Sequence, residues 1–181
     1  NGLKHIYPGM GIHPISRLDR DTTGIVMYAK NSIVHHKMSL IDINKKYIGM
    51  VLNSPPVTEG TIDMPIARVP VSTMLRQFDP SGKESITHYS TIFSKKSASI
   101  LLFTLETGRT HQIRVHCKEG GFPIIHDTLY GKPSDYDQYI SRQALHSYET
   151  SFIHPFTNEK ICIKSDLHDD MLNLEKAIRE K

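Results

Sequence analysis

The stretch Ile15-Ser16-Arg17-Leu18-Asp19-Arg20-Asp21-Thr22-Thr23-Gly24 lies directly before the apolar run IVMYA at 25–29. We predict a buried strand over 25–29, which places Asp19 at the mouth of that strand with an arginine on either side. A carboxylate beside arginines stays ionised, because an opposite charge favours its charged form. Such a carboxylate can act as a nucleophile at an electrophilic carbon. The same pattern also fits a structural ion pair that opens a strand.

A second polar cluster, LETGRTHQIRVH, covers 105–116. Here a strand is expected to end in a glycine turn and a helix to begin. Thr110 is a plausible N-cap and Gly120 a plausible C-cap, which predicts a helix over 111–119. Arg109, Arg114 and the N–H groups of the first turn would favour an anion, either a phosphate or the carboxylate of Asp19. The alternative is an ordinary capped helix with surface arginines.

Tyr47 lies in the segment KKYIGMV, where alternation with Ile48 and Met50 predicts a strand. A tyrosine at such a position is either part of the core or a ring that stacks on a nucleic-acid base. His111 and His116 are five positions apart, which suits neither one face of a helix nor a zinc-finger spacing. We therefore predict no metal site.

Composition limits the class of protein. The 181 residues have a net charge of +3, with 38% apolar and 23% charged residues, as expected for one globular domain. The longest apolar runs are far shorter than the ~20 residues that span a bilayer, so no membrane association is expected. Cys117 and Cys162 form no C-x-x-C pair, and the simplest setting is a reducing, cytoplasmic one.

The pattern of elements predicts an α+β fold, a mostly antiparallel mixed sheet with flanking helices. We expect a loop at 1–14, an irregular segment at 65–85 and an excursion at 121–143. Ser32 is expected to cap a helix over 33–42, and the tail from His168 is expected to be helical. Pro55-Pro56 excludes a central strand in the connection 53–64. The predicted sheet strands after the first lie at 45–52, 86–93, 97–106, 143–155 and 159–165.

Together these segments resemble the RluA family of pseudouridine synthases. RLDRDTTGIVMYAK (17–30) is similar to its catalytic motif, KKYIGMV (45–51) to its tyrosine motif and LETGRTHQIRVH to its arginine motif. Further segments follow in the family's order, and the resemblance covers about 13–172. They are GTIDMPIAR, GKESITHYSTI, GGFPIIHDTLYG, RQALHSYETSFIHPFTNE and DLHDDM.

The resemblance implies the following roles. Asp19 is the catalytic aspartate, Tyr47 stacks on the flipped base and assists proton removal from C5, and Arg114 pairs with Asp19. Arg17 enters the RNA stack and helps to displace the target uridine. Leu105 to Arg109 shape the pocket floor and its rim. The residues expected to contact RNA are Arg17, Arg20, Thr22, Arg109, Thr110, His111 and Gln112.

The implied reaction breaks the C1′–N1 bond of a uridine, rotates the uracil and rejoins it through C5. The base must first leave its stack. The sequence does not choose between attack by the aspartate and removal of a sugar proton through a glycal. The reaction involves no redox change and requires no cofactor or metal. The expected partner is ribosomal or transfer RNA, bound by a monomer through salt-sensitive phosphate contacts.

The sequence departs from the family pattern in three places. Ser16 stands where the family usually has histidine, which alters the expected support of the loop around Arg17. His126 stands where the family usually has glycine, which predicts a different backbone if φ is positive there. The family's upstream strand-rich part is not visible, so 1–181 is expected to be a single, N-terminally truncated catalytic domain.

Two other classes of function remain open from the sequence. An RNA-binding protein could remodel RNA without isomerising it, although Asp19, Tyr47 and Arg114 are all present. A glycosidase would need a second carboxylic acid for the leaving group. Asp21 is the candidate near Asp19.

Overall fold

A computed structural model describes residues 2–181 and contains one large mixed sheet. Its seven strands are β2 (Thr23–Gly24), β4 (Asn44–Leu52), β5 (Glu59–Asp63), β8 (Ile86–Lys95), β9 (Ala98–Leu105), β10 (Leu145–Ile153) and β11 (Lys160–Lys164). They lie in the order β11-β10-β4-β9-β8-β5, and β2 pairs with β10. All of the pairings are antiparallel except that of β2 with β10, which is parallel. The predicted α+β class is confirmed.

The remaining strands and the helices lie around this sheet. Two small ribbons pair β1 (His13–Pro14) with β3 (Tyr28–Ala29) and β6 (Ile66–Arg68) with β7 (Arg76–Phe78). The helices are α1 (Gly2–Ile6), α2 (Ser32–Met38), α3 (Gln112–Glu119) and α4 (Asp169–Glu180), with a 3₁₀ turn at Asp137–Tyr139. Within 2–181, no helix is long and apolar enough to cross a bilayer.

The core lies on the central strands β4 and β9. Tyr47–Val51 is a continuous buried run, because β4 lies between β9 and β10 and is covered on both faces. Phe103 and Leu101 of β9 are fully buried beside it. Helix α3 contacts β8, and α4 contacts β9 through a stripe that includes Met171, Leu174 and Ile178. The predicted strand at 45–52 and tail helix are thus confirmed, as are the strand pairs 86–93 with 97–106 and 143–155 with 159–165.

Two predictions about the N-terminal part are wrong. The apolar run 25–29 is not one buried strand: β2 ends at Gly24, β3 begins at Tyr28, and Val26 and Tyr28 are 38% and 45% exposed. The segment 1–14 contains α1 and β1 rather than loop alone, and Asn1 lies outside the described residues.

Both predicted N-caps are also wrong. Asn31, not Ser32, caps α2, because its Oδ1 accepts a hydrogen bond from the Val34 N–H at 2.8 Å and the helix already ends at Met38. His111, not Thr110, precedes α3, in a left-handed conformation with φ +59° and no side-chain cap bond. Gly120 is the C-cap as predicted.

Two segments expected to lack strands contain them. The connection 53–64 includes β5, which is an edge strand and so agrees with the exclusion of a central strand by Pro55-Pro56. The segment 65–85 contains the ribbon β6–β7. These short strands have too few residues for a clear alternation of apolar and polar side chains.

Candidate active site

Strand β10 brings the loop of Asp19 beside the strand of Tyr47. On one edge, Ser147 of β10 pairs with Tyr47 of β4, and on the other it pairs with Gly24 of β2. Gly24 has φ +106°, and a Cβ there would lie 2.2 Å from the Ser147 carbonyl oxygen. Only glycine fits this approach. The glycine that ends DTTG therefore allows the aspartate loop to dock on the sheet.

A cleft of about 730 Å³ opens at this junction. Its walls are the loop 14–22, the start of β4 and the segment 105–113. Every predicted site residue except Arg114 lines it; those that do are Arg17, Asp19, Arg20, Thr22, Tyr47, Arg109, Thr110, His111 and Gln112. The cleft is thus built from three parts of the chain that are distant in sequence, each of which contains one of the predicted motifs.

Arg114 lies behind the cleft and joins two carboxylates. Its guanidinium makes a bidentate pair with Asp127, with Nε–Oδ2 and Nη2–Oδ1 distances of 2.7 Å. Its Nη1 is 3.5 Å from Oδ2 of Asp19. Arg114 is 4% exposed and the side chain of Asp127 is 0% exposed, whereas the side chain of Asp19 is 22% exposed. Of the two carboxylates that Arg114 joins, Asp19 is therefore the one that a molecule in the cleft can reach.

The charges of this triad keep the arginine positive. Burial acts to lower the pKa of Arg114, but the hydrogen bonds and charge of Asp127, together with the charge of Asp19, outweigh it and raise the pKa above its ordinary value. The ring of Tyr130 lies 5.2 Å from the guanidinium carbon. Arg114 thus presents a fixed positive charge to Asp19.

The arginines that flank Asp19 in sequence do not pair with it. Arg17 and Arg20 are exposed, and the nearest carboxylate to Arg20 is Asp21, at 3.8 Å. Among the described residues, the ion-pair partner of Asp19 is Arg114. Our reading of Asp19 as held between its two neighbouring arginines is therefore wrong, and both arginines are free to face a ligand in the cleft.

Tyr47 is 8% exposed yet lines the cleft. Burial raises the pKa of its phenol; interaction with the Ser147 side chain offsets this in part, and the negative charge of Asp19 adds to it. The phenol is therefore protonated at neutral pH. The ring can stack on a planar ligand, and the hydroxyl can donate a hydrogen bond.

The side chains of 109–112 differ in what they leave free for a ligand. Gln112 is 3% exposed, and its carboxamide bonds to the Arg109 N–H, Thr107 Oγ1, Ile86 O and Thr87 Oγ1, so it supports the loop. Nδ1 of His111 is 2.8 Å from the Tyr130 hydroxyl, and burial lowers the pKa of this imidazole. Arg109 is exposed, with its Nε bonded to the Glu84 carbonyl.

Two of the three departures from the family pattern, Ser16 and His126, have local structural accounts. The hydroxyl of Ser16 accepts a hydrogen bond from the Met27 N–H at 3.0 Å, which ties the Arg17 loop to the segment after it. His126 has φ +54°, a left-handed conformation that histidine tolerates better than most non-glycine residues. Asp127 next to it still reaches Arg114. The described backbone thus accommodates histidine at 126.

Three residues in or behind the cleft were not predicted from the sequence. Asp127 lies in the matched segment GGFPIIHDTLYG, where its acidic side chain was the available signal. Lys45 lines the cleft, and burial lowers the pKa of its amine. Gln143 had no sequence signal beyond its place in a matched segment.

No group of three or more potential metal ligands occurs within 2–181.

Gln143 clamps the turn that contains Asp19. Its Nε2 donates to the Arg20 carbonyl at 2.5 Å and to Thr22 Oγ1 at 3.0 Å. It is 5% exposed and precedes β10, so it fixes the loop to the rigid sheet. His146 adds a second tie, with Nδ1 2.8 Å from Thr23 Oγ1. Asp19 therefore owes its position to residues about 120 positions later in the chain.

With Asp19 as the reacting group that the family resemblance implies, Gln143→Leu is expected to lower kcat by about 10- to 100-fold, because a small misplacement of such a group is that costly. The loss of the two bonds should also reduce the free energy of unfolding by about 1–3 kcal/mol. Turnover and urea unfolding test this. Gln138→Leu is the matched control, since Gln138 is exposed and bonds only to the nearby Asp135 carbonyl. Unchanged kcat in Gln143→Leu would contradict the clamp.

Comparison with known proteins points to one family. The family described as RNA pseudouridylate synthase matches residues 9–119. A Bacillus subtilis protein named "uncharacterized RNA pseudouridine synthase YjbO" is 40% identical over 98% of this chain and 64% of its own length. Ribosomal large subunit pseudouridine synthase D of Buchnera aphidicola is 36% identical over 96% of this chain and 61% of its own length. The chain thus spans less than two thirds of these relatives.

Solved structures support the fold. The protein titled Human RNA Pseudouridylate Synthase Domain Containing 4 superposes with a TM-score of 0.80 at 20% identity, over 97% of this chain and 80% of that one. Human RNA Pseudouridylate Synthase Domain Containing 1 gives a TM-score of 0.73 at 22% identity, over 99% and 84%. At these identities, the likeness concerns the arrangement of strands and helices alone.

Proposed function

The chain belongs to the RNA pseudouridylate synthase family, of the RluA type, and on that premise we propose that it converts uridine in RNA to pseudouridine with Asp19 as the catalytic group. The observation that supports this most is the ion-paired Asp19 at the accessible end of the triad Asp19–Arg114–Asp127. Arg114 places its positive charge 3.5 Å from the Asp19 carboxylate, and both possible routes use that carboxylate as a nucleophile or as a base. The cleft beside it has room for an extruded base.

The other cleft residues have distinct tasks in this proposal. Tyr47 stacks on the extruded uracil, since its ring lines the cleft beside the aspartate loop. Arg17 is exposed at the rim, where it can fill the space the base leaves. Five other lining residues lie where they can contact the sugar-phosphate chain: Arg20, Thr22, Arg109, Thr110 and His111. Gln112 acts indirectly, by holding the loop of Arg109.

The isomerisation balances without any other reactant. The C1′–N1 bond breaks, the uracil turns, and a C1′–C5 bond forms. The proton on C5 leaves and N1 gains one, so the product has the same composition as the substrate. In one route Asp19 attacks the sugar or the base, and in the other it removes a sugar proton. The geometry of the free protein fits both routes, and no cofactor or metal enters either one.

A release assay tests the activity. RNA transcripts labelled with tritium at C5 of uracil lose that tritium to water when the new carbon–carbon bond replaces the C5–H bond. We expect release from ribosomal or transfer RNA transcripts; the ribosomal name of the Buchnera relative makes large-subunit RNA the first substrate to test. Absence of release from both classes of transcript would contradict the proposed activity.

Tyr47→Phe tests the hydroxyl apart from the ring. The Tyr47 phenol is protonated before the reaction. Its oxygen would therefore accept the proton that leaves C5 while its own proton passes to another acceptor. We expect kcat for tritium release to fall about 100-fold, in the range of general acid–base catalysis, with RNA affinity unchanged because the ring remains. Tyr89→Phe, another buried tyrosine outside this cleft, is the matched control. A fully active Tyr47→Phe would restrict Tyr47 to stacking.

The glycosidase alternative is less well supported. Asp21, its candidate acid, has a 60% exposed side chain and does not line the cleft. Glu106 does line it but pairs with His88 at 2.6 Å. Release of free uracil from RNA would favour a glycosidase.

We further propose that the protein acts in the cytoplasm, in line with its two free cysteines, and that it acts as a monomer.

A further inference from the structure

A second groove runs on from the cleft, between the ribbon β6–β7 and the segment 108–110. It has a volume of about 450 Å³ and is lined by Arg68, Arg76, Lys83 and Arg109, together with small and neutral residues. Arg76 and Arg109 line both this groove and the cleft of Asp19. A ligand chain that leaves the cleft on this side would therefore enter the groove.

The charge of the groove is uncompensated. No carboxylate lines it, and within 2–181 none of its four cations makes an ion pair. The carboxylate of Asp79, on the turn nearby, accepts hydrogen bonds from the N–H and hydroxyl of Ser81. Within the described residues, the side chains of Arg109 and Arg76 bond only to backbone carbonyls, so four cations without a carboxylate partner lie along one groove and create a positive potential that attracts a polyanion.

The groove is held in shape before any ligand arrives. The backbones of Ile66 and Lys83 exchange two hydrogen bonds of 2.9 Å, and a Cβ on Gly82 would lie 2.6 Å from the Ile66 carbonyl carbon. The Tyr130 hydroxyl accepts a hydrogen bond from the Arg76 N–H at 2.8 Å. Tyr130 also contacts Arg114. The ribbon is thus fixed to the support of the catalytic loop.

We propose that this groove binds the phosphodiester backbone of the RNA strand next to the extruded uridine, with Arg68 and Lys83 as its dedicated phosphate contacts. The inference rests on the proposed function, since continuity with the cleft is what selects RNA over another polyanion. Arg76 and Arg109 stand at the junction and contact the phosphates nearest the target. Contacts of this kind add affinity without reading sequence.

The test uses the double variant Arg68→Gln/Lys83→Gln and a fluorescently labelled oligouridylate as the probe. Binding is measured by anisotropy between roughly 50 and 200 mM salt. Each lost contact to a single strand reduces the slope of log K against log salt by about 0.7. We therefore expect the slope to fall by roughly 1.4 and the affinity at ~0.1 M salt to fall about tenfold or more. In the release assay, the effect is expected in KM rather than in kcat.

Lys96→Gln/Lys160→Gln is the matched control, because it removes the same charge from exposed positions outside the cleft and the groove. An unchanged slope in the groove variant, a slope equal to that of the control, or no binding of the probe by the unaltered protein would each overturn the inference. A reduced slope with no tritium release by the unaltered protein would support the groove and contradict the proposed activity. Tritium release by the unaltered protein with an unchanged slope in the groove variant would support the proposed activity and contradict the groove.

Discussion

Asp19→Asn is expected to abolish pseudouridine formation, with turnover reduced by at least ~10³-fold, as when other enzymes lose a nucleophile or general base. Asparagine has nearly the same shape but cannot be ionised, so neither possible route can begin. The fold should persist, because Asp19 is partly exposed and Arg114 keeps its bidentate partner Asp127. Tritium release and thermal unfolding, measured on the same preparation, check both expectations.

Asp21→Asn is the matched control for this change. It makes the same substitution two residues away, at a side chain that is 60% exposed and outside the cleft. We expect its turnover to stay within about twofold of the unaltered protein, since surface substitutions of this kind have small effects. If Asp19→Asn kept its activity, or if both variants lost it equally, Asp19 would not be the catalytic group.

Arg114→Met is expected to have the second largest effect, on stability as well as on activity. Removing the guanidinium leaves the carboxylate of Asp127 buried at 0% exposure without a counter-charge. Such a loss costs about 3–5 kcal/mol of the free energy of unfolding. Activity should also fall, because Asp19 loses the ion-pair partner that holds its carboxylate in place. Urea unfolding and tritium release measure the two effects.

The double variant Arg114→Met/Asp127→Asn separates these effects. Asparagine removes the buried negative charge, and its Oδ1 can still accept the hydrogen bonds that Asp127 accepts from the Leu129 and Tyr130 N–H groups, so the double variant should recover most of the lost stability. It should remain inactive, because nothing then pairs with Asp19. Arg179→Met, at an exposed ion pair with Glu175 on α4, is the control for loss of an arginine. An active double variant would contradict the role of Arg114.

The central strands were predictable because burial on both faces produces an apolar run. The apolar runs of β4 and β9 and the alternation of β8 made the strands at 45–52, 97–106 and 86–93 predictable from local sequence. The prediction of one buried strand over IVMYA (25–29) was wrong for the same reason. This run is apolar, but Ile25 bonds to Ser147 of β10, while the Met27 carbonyl accepts from Ile15 and Ser16. Its backbone thus serves two partners, which ends one short strand and starts another.

The residues of the candidate site were predictable only as members of motifs. Their geometry depends on pairings between distant segments, such as Arg114 with Asp127 and Gln143 with Arg20. The charges nearest Asp19 in sequence suggested Arg17 and Arg20 as its partners, whereas the structure pairs it with Arg114, the partner that only the family resemblance had implied. Local spacing contains no information on which of several arginines the sheet brings to a carboxylate.

The helix caps show the limit of propensity. Asn31 and Ser32 are adjacent and are both good N-caps, and the choice between them falls to the geometry that brings Asn31 Oδ1 to the Val34 N–H. At α3, Thr110 has the right side chain, but Gln112 bonds to the Arg109 N–H instead. A buried glutamine that supports a loop is not a local signal.

Nucleoside analysis of unmodified ribosomal and transfer RNA transcripts, after incubation with the protein, is the most direct test of the account. The pseudouridine content is measured by mass spectrometry after complete digestion, with chromatographic separation from uridine, which has the same mass. We predict new pseudouridine with the unaltered protein and with Asp21→Asn, and none with Asp19→Asn. Transcripts that gain no pseudouridine from the unaltered protein, or that gain equal amounts from Asp19→Asn, would contradict the claim that Asp19 isomerises uridine in RNA.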